Sequence, residues 1–254
     1  MKEIRTLTQI MARLRGPRGC PWDQKQTHKT LRPMLLEEVY ELLEAIDQKD
    51  DEALQEELGD VLLHIIFHSQ LAQERRAFNF QKVAKQLAEK LVSRHPHVFG
   101  KERLATTQQV LKRWHQLKEA EKPTRQSCLD GIPLHLPSLL LAQNLQKRAA
   151  RVGFDWPNPE KGIPAKIREE IKEVCQTKGR GPAFAREVGD LLFTLVNLAR
   201  HRGVDAETAC RDSARRFASR VRHIEASLAK KGKKTTQLTP RQLDQEWKKA
   251  KRKS

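Results

Sequence analysis

The chain repeats itself, and this duplication constrains its fold more than any other feature of its 254 residues. Glu37-Glu38-Val-Tyr-Glu41 is matched 132 residues later by Glu169-Glu170-Ile-Lys-Glu173, both reading Glu-Glu-x-x-Glu. Glu57-Leu-Gly-Asp60-Val-Leu-Leu is matched 130 residues later by Glu187-Val-Gly-Asp190-Leu-Leu-Phe, both reading Glu-x-x-Asp. Lys90-Leu-x-x-Arg94 then corresponds to Arg216-Phe-x-x-Arg220, and Trp114-x-x-x-Lys118 to Trp247-x-x-x-Lys251. Trp22 and Pro33 precede the first acidic motif as Trp156 and Pro164 precede the second. Landmarks that keep their order predict two homologous halves with one architecture. The expected division is residues 1–122, a linker at 123–137 where Pro, Ser, Gly and Asp collect, and residues 138–254.

Hydrophobic spacing decides the class of that architecture. Leu35, Val39, Leu42 and Ile46 recur at helical intervals after Pro33, a residue tolerated in a first turn. Leu58, Val61, Leu62 and Ile65 form a second stripe, and Val83, Leu87 and Leu91 a third that must stop near His95-Pro96. The second half repeats this with Ile167, Ile171 and Val174, then Val188, Leu191, Leu192 and Leu195, then Ser213, Phe217 and Val221. The reading is all-α, a helical bundle in each half. Twelve glycines and twelve prolines are too few to punctuate an all-β chain.

The net charge of +17 suits a polyanionic partner, but +8 of it lies in residues 230–254. A solvated basic tail is the plainer reading and a nucleic-acid arm the sharper one. The longest apolar run, Val61 to Phe67 broken by His64, is far short of a membrane span, so no membrane association is expected. The N-terminus lacks the apolar stretch of a secretory signal and the four cysteines are scattered, so a cytoplasmic address is expected.

Residues three and four apart on a helix are neighbours, so Glu37 or Glu38 lies beside Glu41, and Glu57 beside Asp60. Each acidic motif borders an apolar stripe, which places its carboxylates at the edge of the core. Carboxylates gathered on partly dry ground need a cation, and oxygen ligands favour a hard divalent ion, Mg2+ or Mn2+. Magnesium held by a few carboxylates commonly also binds substrate phosphates. The pairs Lys90 with Arg94 and Arg216 with Arg220 could face such an anion, with surface solvation as the alternative.

At these residues the chain resembles the MazG-type nucleoside triphosphate pyrophosphohydrolases, in their two-domain form. The resemblance rests on both acidic motifs together with Gly19-Cys-Pro-Trp-Asp23, Gln26-Thr-His28, His95-Pro-His-Val-Phe99 and Lys147-Arg-x-x-x-Val-Gly-Phe-Asp-Trp156, and runs from Met11 to about Lys251. It implies tandem all-α domains, a homodimer, and Mg2+-dependent hydrolysis of a nucleoside triphosphate to monophosphate and pyrophosphate, with nucleotide-pool housecleaning as the role. Carried over by position, it implies metal ligation by Glu170, Glu173, Glu187 and Asp190, with Lys166 and Glu169 beside the nucleotide. Arg216 and Arg220 would hold phosphates and Trp247 would stack on the base. The first-half counterparts are Glu38, Glu41, Glu57 and Asp60, then Lys90, Arg94 and Trp114, and the resemblance gives the second half the greater catalytic weight. Arg216 where lysine is typical, and Ala214 where asparagine is frequent, depart from the pattern at the substrate contacts.

Two rivals are a basic helical nucleic-acid binder without catalysis, which leaves the duplicated acids unexplained, and a carboxylate-bridged oxidase, which needs Glu-x-x-His motifs absent here. His64 and His68, at i+4 and i+8 from Asp60, have metal-ligand spacing, but their second-half counterparts are Thr194 and Leu198. They are therefore read as packed or surface histidines. Trp22 and Trp156 are read as braces of the fold.

Overall fold

The computed structural model describes residues 2–121 and 126–252, without the side chains of residues 119 and 120. The described residues are helical, without strands, and the chain divides into two compact units, residues 1–123 and 124–254. Residues 123–125 of the expected linker lie outside the described residues, and 126–137 is turn and coil.

Unit 1 contains α1 (Lys2–Arg15), α2 (Pro21–Lys25), α3 (Arg32–Gln48), α4 (Asp51–Glu74), α5 (Phe80–Arg94), α6 (Pro96–Phe99) and α7 (Thr107–Ala120). Helix α3 starts at the expected proline. It ends at Lys49, whose left-handed φ of 57° turns the chain within two residues into α4. There the Asp50 carboxylate accepts from the amides of Glu52 and Ala53, satisfying two of the donors a helix start leaves open. Asn79 caps α5 in the same way, and α5 stops at Arg94 because the ring of Pro96 disfavours helical geometry at His95. Helices α3 and α4 pack along each other, α1 covers α4, and Met11, Leu31, Ile66 and Phe67 form the buried centre.

Unit 2 contains α8 (Ser138–Arg151), α9 (Pro159–Gln176), α10 (Pro182–His201), α11 (Ala206–Ala229), a 3-10 turn (Thr235–Gln237) and α12 (Pro240–Lys251). Helix α9 begins at Pro159, so Pro164, which precedes the acidic motif as expected, lies inside the helix. The α9–α10 pair repeats the α3–α4 pair, with α8 packed on α10 and α11, and α12 folded back on α11. Two buried glutamines fasten α8. Gln143 donates to Val204 O at 2.8 Å and accepts from Ala206 N at 2.9 Å, and Gln146 donates to Phe193 O at 2.8 Å.

The stripes form helices as expected, but many of their residues are not core. Val39, Ile46, Leu58 and Ile65 in unit 1, and Ile171, Leu192 and Leu195 in unit 2, are exposed. The physical reason is that two packed helices cover only one side of each stripe, while an amphipathic helix carries an apolar arc of about 100° or more. Trp22 is more than half exposed and braces little, whereas Trp156 packs over Gly162, where a Cβ would meet Trp156 Cε3 at 2.6 Å.

Candidate functional site

Each helix pair brings the acidic motifs of its two helices face to face. In unit 1, carboxylate oxygens of Glu38 and Glu41 from α3 and Glu57 from α4 lie within 4.8 Å of one another. Asp60 is near enough that its charge adds to the perturbation of Glu38 and Glu57. Both carboxyls are pushed above the usual range, first by burial and then by the facing acids, Asp60 and Glu41 for Glu38, Glu41 and Asp60 for Glu57. In unit 2, Glu170 from α9 meets Glu187 and Asp190 from α10 within the same 4.8 Å, and Glu173 stands outside this converging set.

One oxygen in each unit tests whether a cation fits. Glu57 Oε2 and Glu170 Oε2 are buried and have no hydrogen-bond donor. Glu170 is only 3% exposed. Buried anionic oxygens without donors, converging from two helices, have the chemistry of hard-cation ligands.

The units differ in their own cations. In unit 2 the Lys166 ammonium lies 2.8 Å from both Glu169 Oε1 and Glu170 Oε1, and these hydrogen bonds, Glu169's the larger, push its pKa above the lysine range. The corresponding position in unit 1 is Met34, so that cluster has no equivalent ammonium. The basic residue of the third helix also differs in its engagement. Arg94 on α5 donates to both oxygens of Glu121, at 3.0 and 2.5 Å, and lies over the Trp114 ring, with Lys118 on the same ring at 4.7 Å. In unit 2, Arg216 donates to Ser213 Oγ at 2.7 Å and Arg220 lies 5.7 Å from the centre of the Trp247 ring. Trp247 is half-buried, packed against the Ile224, Leu228 and Ala250 cluster and tilted on Phe217. Arg216, Arg220 and Trp247 thus gather on α11 and α12, whereas the carboxylates and Lys166 gather on α9 and α10.

Beside Lys166 opens a cavity of about 730 Å³, walled by Leu145, Ala149, Trp156 and Phe193 and edged by Asn197. Gln146 also lines it, and with its amide nitrogen committed to Phe193, its buried Oε1 has no donor. The Val152–Trp156 loop at the rim is held by Asp155, which accepts from Arg200 at 3.0 and 2.5 Å and meets His201 Nε2 at 3.0 Å. The Arg200 guanidinium holds the Asp155 pKa down at about 2. Sequence reasoning missed Gln146 and this latch, because neither belongs to the duplicated pattern.

Two helix pairs that each present converging carboxylates with unsatisfied buried oxygens define an all-α, carboxylate-bundle class of protein. Residues 26–99 match the MazG nucleotide pyrophosphohydrolase domain, and residues 145–217 match the phosphoribosyl-ATP pyrophosphohydrolase domain. The chain is 46% identical over 246 residues to the nucleoside triphosphate pyrophosphohydrolase/pyrophosphatase MazG of Thermotoga maritima, covering 96% of this chain and 94% of that one. It is 41% identical over 259 residues to the nucleoside triphosphate pyrophosphohydrolase of Escherichia coli K12, covering 99% and 98%. A Bacillus subtilis protein, YabN, is 41% identical over 98% of this chain and 52% of its own length. The chain belongs to the MazG nucleoside triphosphate pyrophosphohydrolase family, whose members are generally dependent on a divalent metal.

Proposed function

We propose that this protein hydrolyses nucleoside triphosphates to nucleoside monophosphate and pyrophosphate with Mg2+ as cofactor, or Mn2+ in its place, in cytoplasmic nucleotide-pool housecleaning. The observation that carries the reading is the repeated convergence of carboxylates around a buried oxygen without a donor, Glu170 Oε2 in unit 2 and Glu57 Oε2 in unit 1. Glu170, Glu187 and Asp190 would hold the ion in unit 2, with Glu173, which stands outside their set, joining as the fourth ligand by its place in the motif, and Glu38, Glu41, Glu57 and Asp60 would hold it in unit 1. When bound, the divalent ion supplies Lewis acidity, activating water and polarising the phosphate it attacks. The chain's own residues do the rest. Lys166 is the ammonium that neutralises Glu169 and Glu170 at the edge of the cluster, and it would serve as a contact for the substrate phosphates. Arg216 and Arg220 stabilise the charge that develops on departing pyrophosphate.

Trp247 is the platform for the base in this reading, with Arg220 beside it. A second position for the base is favoured by one specific observation, the donor-less Gln146 Oε1 on the wall of the cavity that Lys166 borders. Trp247→Ala and Gln146→Leu separate the two by which one changes KM and base preference. A homodimer is supported by the apolar positions left exposed at matching places in both units, Leu63 with Phe193 and Ile65 with Leu195. Sedimentation velocity reads that state directly.

The rival nucleic-acid reading is weakened by the charge pairing on α12, where Lys248 meets Asp244 and Lys249 meets Glu246 at 2.7 Å. Lys253 lies outside the described residues. The deciding experiment is product analysis on a panel of nucleoside triphosphates with Mg2+ present. Monophosphate and pyrophosphate are expected. Diphosphate with inorganic phosphate refutes the proposed cleavage, and a salt-dependent shift on duplex DNA without any hydrolysis favours the binder.

A further inference from the structure

The cavity beside Lys166 holds a buried acceptor that no donor among the described residues satisfies. Its volume of about 730 Å³ lies within the range of roughly 300–1,000 Å³ that small-molecule pockets occupy. Leu145 and Ala149 from α8, Phe193 from α10 and Trp156 from the loop before α9 give it apolar and aromatic walls, which suit the faces of a flat ring. One buried polar side chain stands among them. Gln146 is 7% exposed, its amide nitrogen donates to Phe193 O at 2.8 Å, and its Oε1 has no hydrogen-bond partner. A backbone carbonyl can only accept, so the bond to Phe193 fixes which end of the amide is left over. That end is an acceptor, and an occupant of the cavity must bring a donor to it.

The edge of the cavity says what kind of molecule carries that donor. Lys166 lines it and also lies 2.8 Å from Glu170 Oε1, a carboxylate of the converging set. An occupant therefore has an apolar ring region at the Gln146 end and a cation at its border, next to the proposed place of the metal and the phosphates. A nucleotide has that form. The Trp247 ring, the other position for the base, already carries Phe217 at 5.4 Å between ring centres and the Arg220 guanidinium at 5.7 Å. An exocyclic amino group on the base gives Gln146 Oε1 the N–H it lacks, whereas a carbonyl in the same place sets two acceptor oxygens against each other.

We infer that this cavity takes the base of the substrate and that Gln146 Oε1 selects bases bearing an exocyclic amino group, as adenine and cytosine do, a placement that rests on the pyrophosphohydrolase reading and decides between its two positions for the base. Gln146 is a specificity-determining residue in this role. A base without the amino group strands a buried acceptor, and a site built to hydrogen-bond its substrate rejects the analogue that lacks the donor for that reason.

The test compares kcat/KM, with Mg2+ present, for nucleotides that differ only in the amino group, ATP against purine riboside triphosphate and CTP against pyrimidin-2-one riboside triphosphate. The amino-bearing member of at least one pair should lead by about 10- to 100-fold. Gln146→Leu should remove that lead. Because Gln146→Leu also takes the donor from Phe193 O, Ala149→Leu is the companion variant: it fills the cavity, leaves the Gln146 bond in place, and should raise KM with kcat nearly unchanged and the helical circular dichroism intact. Calorimetric binding of AMP and CMP against their amino-free counterparts reads the same preference without turnover. Equal kcat/KM within both pairs overturns the placement and leaves the pyrophosphohydrolase reading standing, as does an unchanged KM in Ala149→Leu, or a preference that Gln146→Leu keeps and Trp247→Ala removes. A binding preference lost in Gln146→Leu, with no pyrophosphate released from any nucleotide, upholds the cavity and overturns that reading instead.

Discussion

Replacing Lys166 by methionine gives unit 2 the residue unit 1 already carries at Met34, and the structure fixes what this should do. The ammonium lies 2.8 Å from two carboxylates, one of them, Glu170, with a side chain only 4% exposed, while Lys166 itself is 35% exposed. Stripping the partner from a buried ion pair costs about 3–5 kcal/mol, whereas an exposed pair contributes about 0–1 kcal/mol. A cation one-third open to solvent falls between them, at about 2 kcal/mol. For a unit spanning residues 124–254 that corresponds to a melting temperature lower by roughly 6 °C without metal. Saturating Mg2+ should close most of that gap, because the ion replaces the missing charge and no longer competes with lysine, with up to about tenfold tighter Mg2+ binding for each 1.4 kcal/mol released. Differential scanning calorimetry of both chains, with and without Mg2+, makes the comparison. Pyrophosphate release by the variant should fall, since the proposed function makes Lys166 a phosphate contact as well. An equal loss of melting temperature with and without Mg2+ would refute the reasoning, as it would show that Lys166 and the ion do not share the Glu170 carboxylate.

Asp190→Ala and Glu173→Ala should each abolish turnover while leaving the helical circular dichroism intact, and unchanged rates in both would move the chemistry to the first half or elsewhere. Glu57 has a raised pKa, so its cost to folding is absent at low pH and appears as pH rises through its folded value. Glu57→Gln should accordingly raise the melting temperature of the metal-free chain near neutral pH and shrink the further rise that Mg2+ produces, both read by thermal melts. Asp155 has the opposite sign. With its pKa held at about 2, its contribution is present above the ordinary carboxylate value and is lost as pH falls toward 2. Asp155→Asn should cost roughly 1 kcal/mol near neutral pH and little in strong acid, measured by urea midpoints across that range.

The α5 boundary shows how much was legible locally. Pro96 forbids continuation, and the helix ends where the residues say it must. The apolar stripes were equally legible as helices, but not as core, because periodicity says which face is apolar and not whether anything in the chain covers it. Leu192 and Ile65 are exposed for that reason.

By itself the sequence determined the duplication, the all-α class, the family, and the acids that stand one turn apart, since all of these follow from order along the chain and the 3.6-residue period of a helix. The tertiary structure alone decided which carboxylates converge across two helices. It also brought His28 against His68 across 40 positions of sequence. The physical reason is that helical periodicity fixes neighbours within one element, whereas contacts between elements depend on packing register and rotamer, which no local spacing encodes.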